Sequence, residues 1–115
     1  MNKNKLIEEC TIFSDAIVDY PFKDDIYKET AVLRHKSNKK WFGLIFHKDG
    51  ELCINLKANP FDIAILKEQY PNFIKPAWHM NKKHWCTVIV NKTDIEVLKS
   101  LIKTSLDITS KKSKK

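Results

Sequence analysis

Between Pro76 and Cys86 the sequence Pro-Ala-Trp-His-Met-Asn-Lys-Lys-His-Trp-Cys gathers two tryptophans, two histidines, two lysines and an asparagine, with no acid. Cations and amides interleaved with aromatic rings suit a surface that touches phosphates and bases. Lys82 and Lys83 can neutralise phosphates, Asn81 can hydrogen-bond a base or sugar, and Trp78 can stack on an unpaired base for roughly 1–3 kcal/mol. His79 and His84 complete this candidate set. The plainer alternative puts Trp85 in the core, leaves Trp78 half-buried and makes the lysines a solubilising rim.

The same residues admit a second chemistry. His79 and His84 have a His-x4-His spacing compatible with zinc, and on an extended strand His84 and Cys86 share a face, which would make a metal or enzymatic site. A third ligand and an orienting carboxylate are not evident, nor is a nucleophile elbow, a Gly-rich phosphate loop or a paired-carboxylate motif. We therefore expect no enzyme and no cofactor, with histidines that orient the loop through hydrogen bonds. Cys10, Cys53 and Cys86 are odd in number and far apart, which fits reduced core thiols better than a disulfide framework or zinc ribbon.

Charge supplies a second candidate region. The 115 residues carry a net +7, but residues 1–29 sum to −3, 30–48 to +5, 49–68 to −2, 69–92 to +4, 93–110 to −1 and 111–115 to +4. Arg34, Lys36, Lys39 and Lys40 in the second block can therefore join the 76–86 stretch as phosphate contacts, although a solvated lysine-rich turn is equally ordinary. Twenty lysines stand against one arginine. Bidentate base reading favours arginine, so binding of this kind is salt-sensitive and weakly specific.

The elements that must position these residues follow from hydrophobic periodicity. Leu6, Ile7, Cys10, Phe13 and Ile17 predict an amphipathic helix over about 3–17, followed by an acidic loop broken at Pro21. Residues 30–35 and 40–47 predict a hairpin with Arg34, Lys36, Lys39 and Lys40 at its tip. For the next connection, a two-residue Asp49-Gly50 loop would set Phe46 opposite Cys53. A three-residue loop with a G1 bulge would pair Phe46 with Leu52, Leu44 with Ile54 and Phe42 with Leu56, burying one wholly apolar face, and is the register expected. Trp41, Ile45, His47, Glu51, Cys53, Asn55 and Lys57 would then share the other face.

Asn59-Pro60 starts a second helix over about 60–70, with Ile63, Leu66 and Tyr70 as its stripe. Residues 72–77 read as a loop or short strand, and 85–90 as a strand covered on both sides. Thr93-Asp94-Ile95-Glu96 reads as a capping box for a last helix that fades near 105–109. These elements make an α+β fold of two layers, an antiparallel sheet with its N-terminal, inserted and C-terminal helices on one face. One domain over 1–110 and a disordered basic tail over 111–115 are expected.

Asp19-Tyr20-Pro21-Phe22, Lys40-Trp41-Phe42, Asn55-Leu56-Lys57, Tyr70-Pro71, His79-Met80-Asn81-Lys82-Lys83-His84-Trp85 and Ser105-Leu106-Asp107 together resemble the MmcQ/YjbR-like family over almost the whole chain. Trp78 stands where that family usually has another aromatic, and Leu106 where it usually has Tyr or Phe. The resemblance implies a frataxin-like or secretion-chaperone-like fold whose hairpins form a double wing, and a DNA-binding role.

The expected function is thus weak, salt-sensitive nucleic-acid binding, with DNA as the partner. An alternative is a protein- or peptide-interaction module using an exposed sheet face bearing Trp41, Ile45 and Cys53. The lysine-bearing start has no apolar segment after it and no apolar run approaches the roughly 20 residues of a membrane span, so a cytoplasmic protein without membrane contact is expected; the sequence does not supply the oligomeric state, and a monomer is favoured.

Overall fold

The computed structural model describes residues 1–12 and 15–110. In chain order these form α1 (Lys3–Thr11), β1 (Ala16–Asp19), β2 (Ala31–His35), β3 (Trp41–Lys48), β4 (Glu51–Lys57), α2 (Pro60–Gln69), β5 (Ile74–Pro76), β6 (Trp85–Ile89), a 3-10 turn (Val90–Lys92) and α3 (Ile95–Ser110). The strands make one antiparallel sheet in the order β1-β2-β3-β4-β6-β5. Helices cover one face, as expected: Leu6 and Cys10 of α1, Ile63 of α2 and Leu98, Leu101 and Ile102 of α3 share a core with Leu33, Ile45, Ile54, Leu56 and Val88.

The first helix is shorter than its periodicity suggests. Asn2 caps it, its side chain accepting from the Lys5 amide at 2.8 Å, but it stops at Thr11. Residues 16–19 instead add an edge strand to β2, with Ile17 opposite Arg34 and Val18 opposite Leu33. Two β-branched residues in sequence and an unpaired strand edge favour extension over another helical turn. Phe13, expected in the helix stripe, and the tail at 111–115 lie outside the described residues.

The β3–β4 register is also corrected. The loop is the two-residue Asp49-Gly50, both at positive φ (54° and 80°), and it pairs His47 with Leu52, Phe46 with Cys53 and Leu44 with Asn55. A turn with both central residues left-handed matches the twist of a hairpin. Demanding one wholly apolar face misleads because both faces of this pair are covered. Ile45 belongs to the helix side, while Leu44 faces away from it, near Trp41 and Trp85.

At α3 the cap moves by one residue. Asp94 accepts from the Glu96 amide at 2.8 Å and its carbonyl takes the first helical bond from Leu98, while the Thr93 hydroxyl turns back to the Ile89 carbonyl. The helix runs on to Ser110 because its last turns are buried and bonded. The Ser105 hydroxyl donates to the Phe42 carbonyl at 2.5 Å and accepts from the Lys57 amide at 2.9 Å, joining β3 to β4 just beyond their last ladder pair, Gly43–Leu56. No helix among the described residues is long and apolar enough to cross a membrane.

Candidate functional site

The side of the sheet away from the helices is covered by two loops, residues 20–30 and 77–84. Val32, Leu44, Ala77 and Trp85 are buried there, with Phe22, Trp41 and Met80 packed against them. Ile45, expected on an exposed face, is fully buried under the helices, and Cys53 is 3% exposed. The bare adhesive sheet face required by the peptide-interaction alternative is therefore not present in that form.

Two buried polar side chains hold the 77–84 loop. Asn55 Nδ2 donates to the Trp78 carbonyl at 2.9 Å, the Thr87 hydroxyl donates to Asn55 Oδ1, and the same hydroxyl accepts from the Trp78 amide at 2.9 Å. Asn55 and Thr87 are 1% and 4% exposed, so the bond between them is buried and those to the half-buried Trp78 backbone are partly shielded from water. Trp78 stacks on Phe46 with centroids 4.7 Å apart, and it is a wall rather than a free platform. The next residue, His79, takes a left-handed φ of 60°, and its Nε2 lies 3.2 Å from the Tyr27 hydroxyl of the other loop. Between the loops is a pocket of about 300 Å³. Phe22, Tyr27, Trp41, Phe46 and Trp78 give it aromatic walls, Thr30, Asn55 and His79 its polar groups, and no Lys, Arg, Asp or Glu lines it.

Asn81 builds the turn beyond. Its Oδ1 accepts from the Lys83 amide at 2.8 Å and its carbonyl from the Trp85 amide at 3.0 Å. This leaves Lys82 and Lys83 exposed at the tip, with His84 half-buried and its carbonyl held by the Ala58 amide. Trp85 is core, and the Lys57 ammonium lies 5.9 Å from its ring centroid.

Strand direction brings the two basic regions together. The turn at 36–40 precedes β3, and the antiparallel pairs Gly43–Leu56 and Lys57–Trp85 put the end of β4 and the start of β6 at that same end of the sheet. β3 and β6 are two strand spacings apart, about 10 Å. Lys36, Lys39, Lys40, Lys82 and Lys83 are all exposed, and among the described residues none of them is in an ion pair. Arg34 differs: its guanidinium is 2.9 Å from the Asp19 carboxylate, and its Nε is buried without a partner.

The lysine turn is tethered. Asp15 accepts from the Ser37 amide at 3.0 Å and hydroxyl at 2.8 Å, and Asn38 Nδ2 donates to the Thr109 carbonyl at 3.0 Å. The buried His35 ring spans Thr109 Oγ1 at 2.7 Å and Asp15 at 3.4 Å. The Ser37 hydroxyl bond, the Ser37 amide and His35 together hold the Asp15 carboxyl below its ordinary value of 3.8, against a smaller opposing effect of burial.

The metal alternative does not assemble. Cys86 packs in the helix-side core while His79 lies on the opposite face, and among the described residues no group of three or more His, Cys, Asp or Glu is placed to hold a metal ion. All three cysteines are free and buried. Burial pushes the Cys10 thiol up to about 12 and those of Cys53 and Cys86 to about 11.

Tyr27, Phe46, Asn55 and Thr87 do not stand out from sequence as site residues. The one signal is Asn55 itself, a single amide in the apolar run Leu52-Cys53-Ile54-Asn55-Leu56.

Comparison with known proteins agrees with this architecture. The chain is 37% identical over 102 residues to the uncharacterised protein YyaQ of Bacillus subtilis, covering 79% of this chain and 83% of that one. It is 39% identical over 71 residues to the uncharacterised protein YbdF of Escherichia coli O157:H7, covering 57% of each. Among solved structures, Deinococcus radiodurans DR2400, described as a DUF419 domain, matches with a TM-score of 0.80 at 28% identity, over 97% of this chain and 80% of that one. A Pseudomonas syringae protein solved by NMR matches with a TM-score of 0.79 at 29% identity, over 100% and 98%. The YjbR family model matches residues 13–108, and the chain belongs to the YjbR family.

Proposed function

We propose that this protein binds nucleic acid, with DNA as the partner, gripping phosphates at the sheet end that carries Lys36, Lys39, Lys40, Lys82 and Lys83. The observation that supports this reading is the convergence of two basic blocks, more than forty residues apart in sequence, on one edge of a tethered scaffold. Lysines act as point charges, so the grip is electrostatic, released by salt and poor in base specificity. Arg34, committed to Asp19, contributes less than its lysine neighbours. The 20–30 loop balances Asp24, Asp25 and Glu29 against Lys23 and Lys28, so it attracts a phosphate backbone less than the basic end does.

Fluorescence anisotropy with labelled duplex and single-stranded DNA at several salt concentrations tests this. The expected result is binding at low salt that weakens linearly in log–log terms as salt rises. Absence of binding at low salt would refute it. So would binding that survives Lys82→Ala/Lys83→Ala and is abolished by deleting residues 111–115.

A further inference from the structure

We infer that the aromatic pocket between the two loops takes an unpaired nucleobase of the strand whose phosphates lie on Lys82 and Lys83; this rests on the nucleic-acid reading above. Its size, about 300 Å³, is at the small end of ligand pockets and suits one planar ring system rather than a peptide segment or a lipid chain. Tyr27 and Trp41 line it together with Trp78, whose ring is already stacked on Phe46, and stacking on aromatic side chains tolerates any base. The polar groups among them, the Tyr27 hydroxyl, the Thr30 hydroxyl and the His79 ring, are of the donor and acceptor kind that a base edge needs. Tyr27 and His79 hydrogen-bond to one another across the two loops, a bond that a base edge with its own donor and acceptor can replace.

Charge favours entry from the 77–84 side. The pocket is lined by no ionic side chain, so it does not select an amine or a carboxylate. Of its two lips, the 77–84 loop carries Lys82 and Lys83 and no acid, while the 20–30 loop sets Asp24, Asp25 and Glu29 against Lys23 and Lys28 and so has no cationic excess. Lys82 is three residues beyond His79, within about 11 Å of chain, so a base in the pocket and its neighbouring phosphate at the lysines are compatible with one strand. A fully paired duplex cannot present a base this way without extruding it. Single strands, ends and unpaired positions are therefore the preferred substrate.

Anisotropy with three ligands separates this from the phosphate grip: a single-stranded oligonucleotide, the same strand with its central bases replaced by abasic sites, and the matched duplex. The inference predicts that the base-bearing strand binds about tenfold or more tighter than the abasic strand. Tyr27→Ala should remove that advantage while leaving abasic-strand affinity unchanged, a control that a misfolded variant fails; His79→Ala should reduce the advantage in the same direction. Equal, salt-sensitive binding of the base-bearing and abasic strands, or a preference for duplex, would overturn the pocket assignment and leave the phosphate reading standing. No binding of any of the three at low salt would overturn both.

Discussion

The two faces of this sheet are built on different terms. Under the helices, the described core is apolar and deep, with Leu6, Leu33, Phe42, Ile45, Ile54 and Val88 at zero exposure. On the other face a smaller apolar cluster of Val32, Leu44, Ala77 and Trp85 lies with two loops whose cohesion depends on aromatic contacts and on the Asn55–Thr87–Trp78 bonds. The difference separates the source of stability from the place where a ligand fits: a close-packed layer leaves no room, whereas loops over a shallow layer leave a pocket.

Substitutions on the two faces should therefore differ in size. Leu98→Ala, in the helix-side core, is expected to cost about 2–5 kcal/mol in urea denaturation, whereas Phe22→Ala, half-buried on the loop side, should cost about 1 kcal/mol. Equal losses would erase the distinction. Between these falls Thr87→Val, which deprives Asn55 Oδ1 and the Trp78 amide of their partner. About 1–3 kcal/mol is expected, together with a change in tryptophan emission that Leu98→Ala at matched stability does not produce.

Thiol chemistry reads the same burial. With Cys10 near 12 and Cys53 and Cys86 near 11, the native protein should react with a disulfide reagent at mildly alkaline pH far more slowly than the urea-unfolded chain. Fast labelling of Cys53 alone would show that the loop side opens by itself.

The smallest effect concerns the tether under the lysine turn. Asp15 has a folded-state pKa lowered from 3.8, so its contribution to stability is present above that value and is lost as pH falls through the lowered one. Asp15→Asn should slightly destabilise the protein at neutral pH and flatten the acid side of its stability curve. An unchanged acid limb would mean the carboxylate does not hold the turn.

Much of this architecture is legible in sequence, and the exceptions share a cause. The 60–69 helix, the first hairpin and the burial of Trp85 follow from local signals: Asn59-Pro60, a polar turn between apolar runs, a continuous β-prone segment. Residues 16–19 mimic a helix because Ile17 continues a helical stripe, and the competing pull, the free edge of β2, is a long-range partner that periodicity does not see. The β3–β4 register is misleading because a sheet covered on both faces has no single apolar side to align. The lysines of the site are visible as charge, but their convergence requires strand order, and the pocket requires two loops distant in sequence to meet.

On the reading proposed above, position rather than net charge makes the sheet end a phosphate grip. The most direct test compares two variants that each remove two positive charges, Lys82→Ala/Lys83→Ala at the sheet end and Lys99→Ala/Lys103→Ala on the exposed side of α3, by anisotropy with a single-stranded oligonucleotide across a salt series. The first pair should weaken binding and lower the salt slope by about 0.7 for each phosphate left without its lysine, while the second should change neither beyond a small general effect. Equal weakening by both pairs would contradict it.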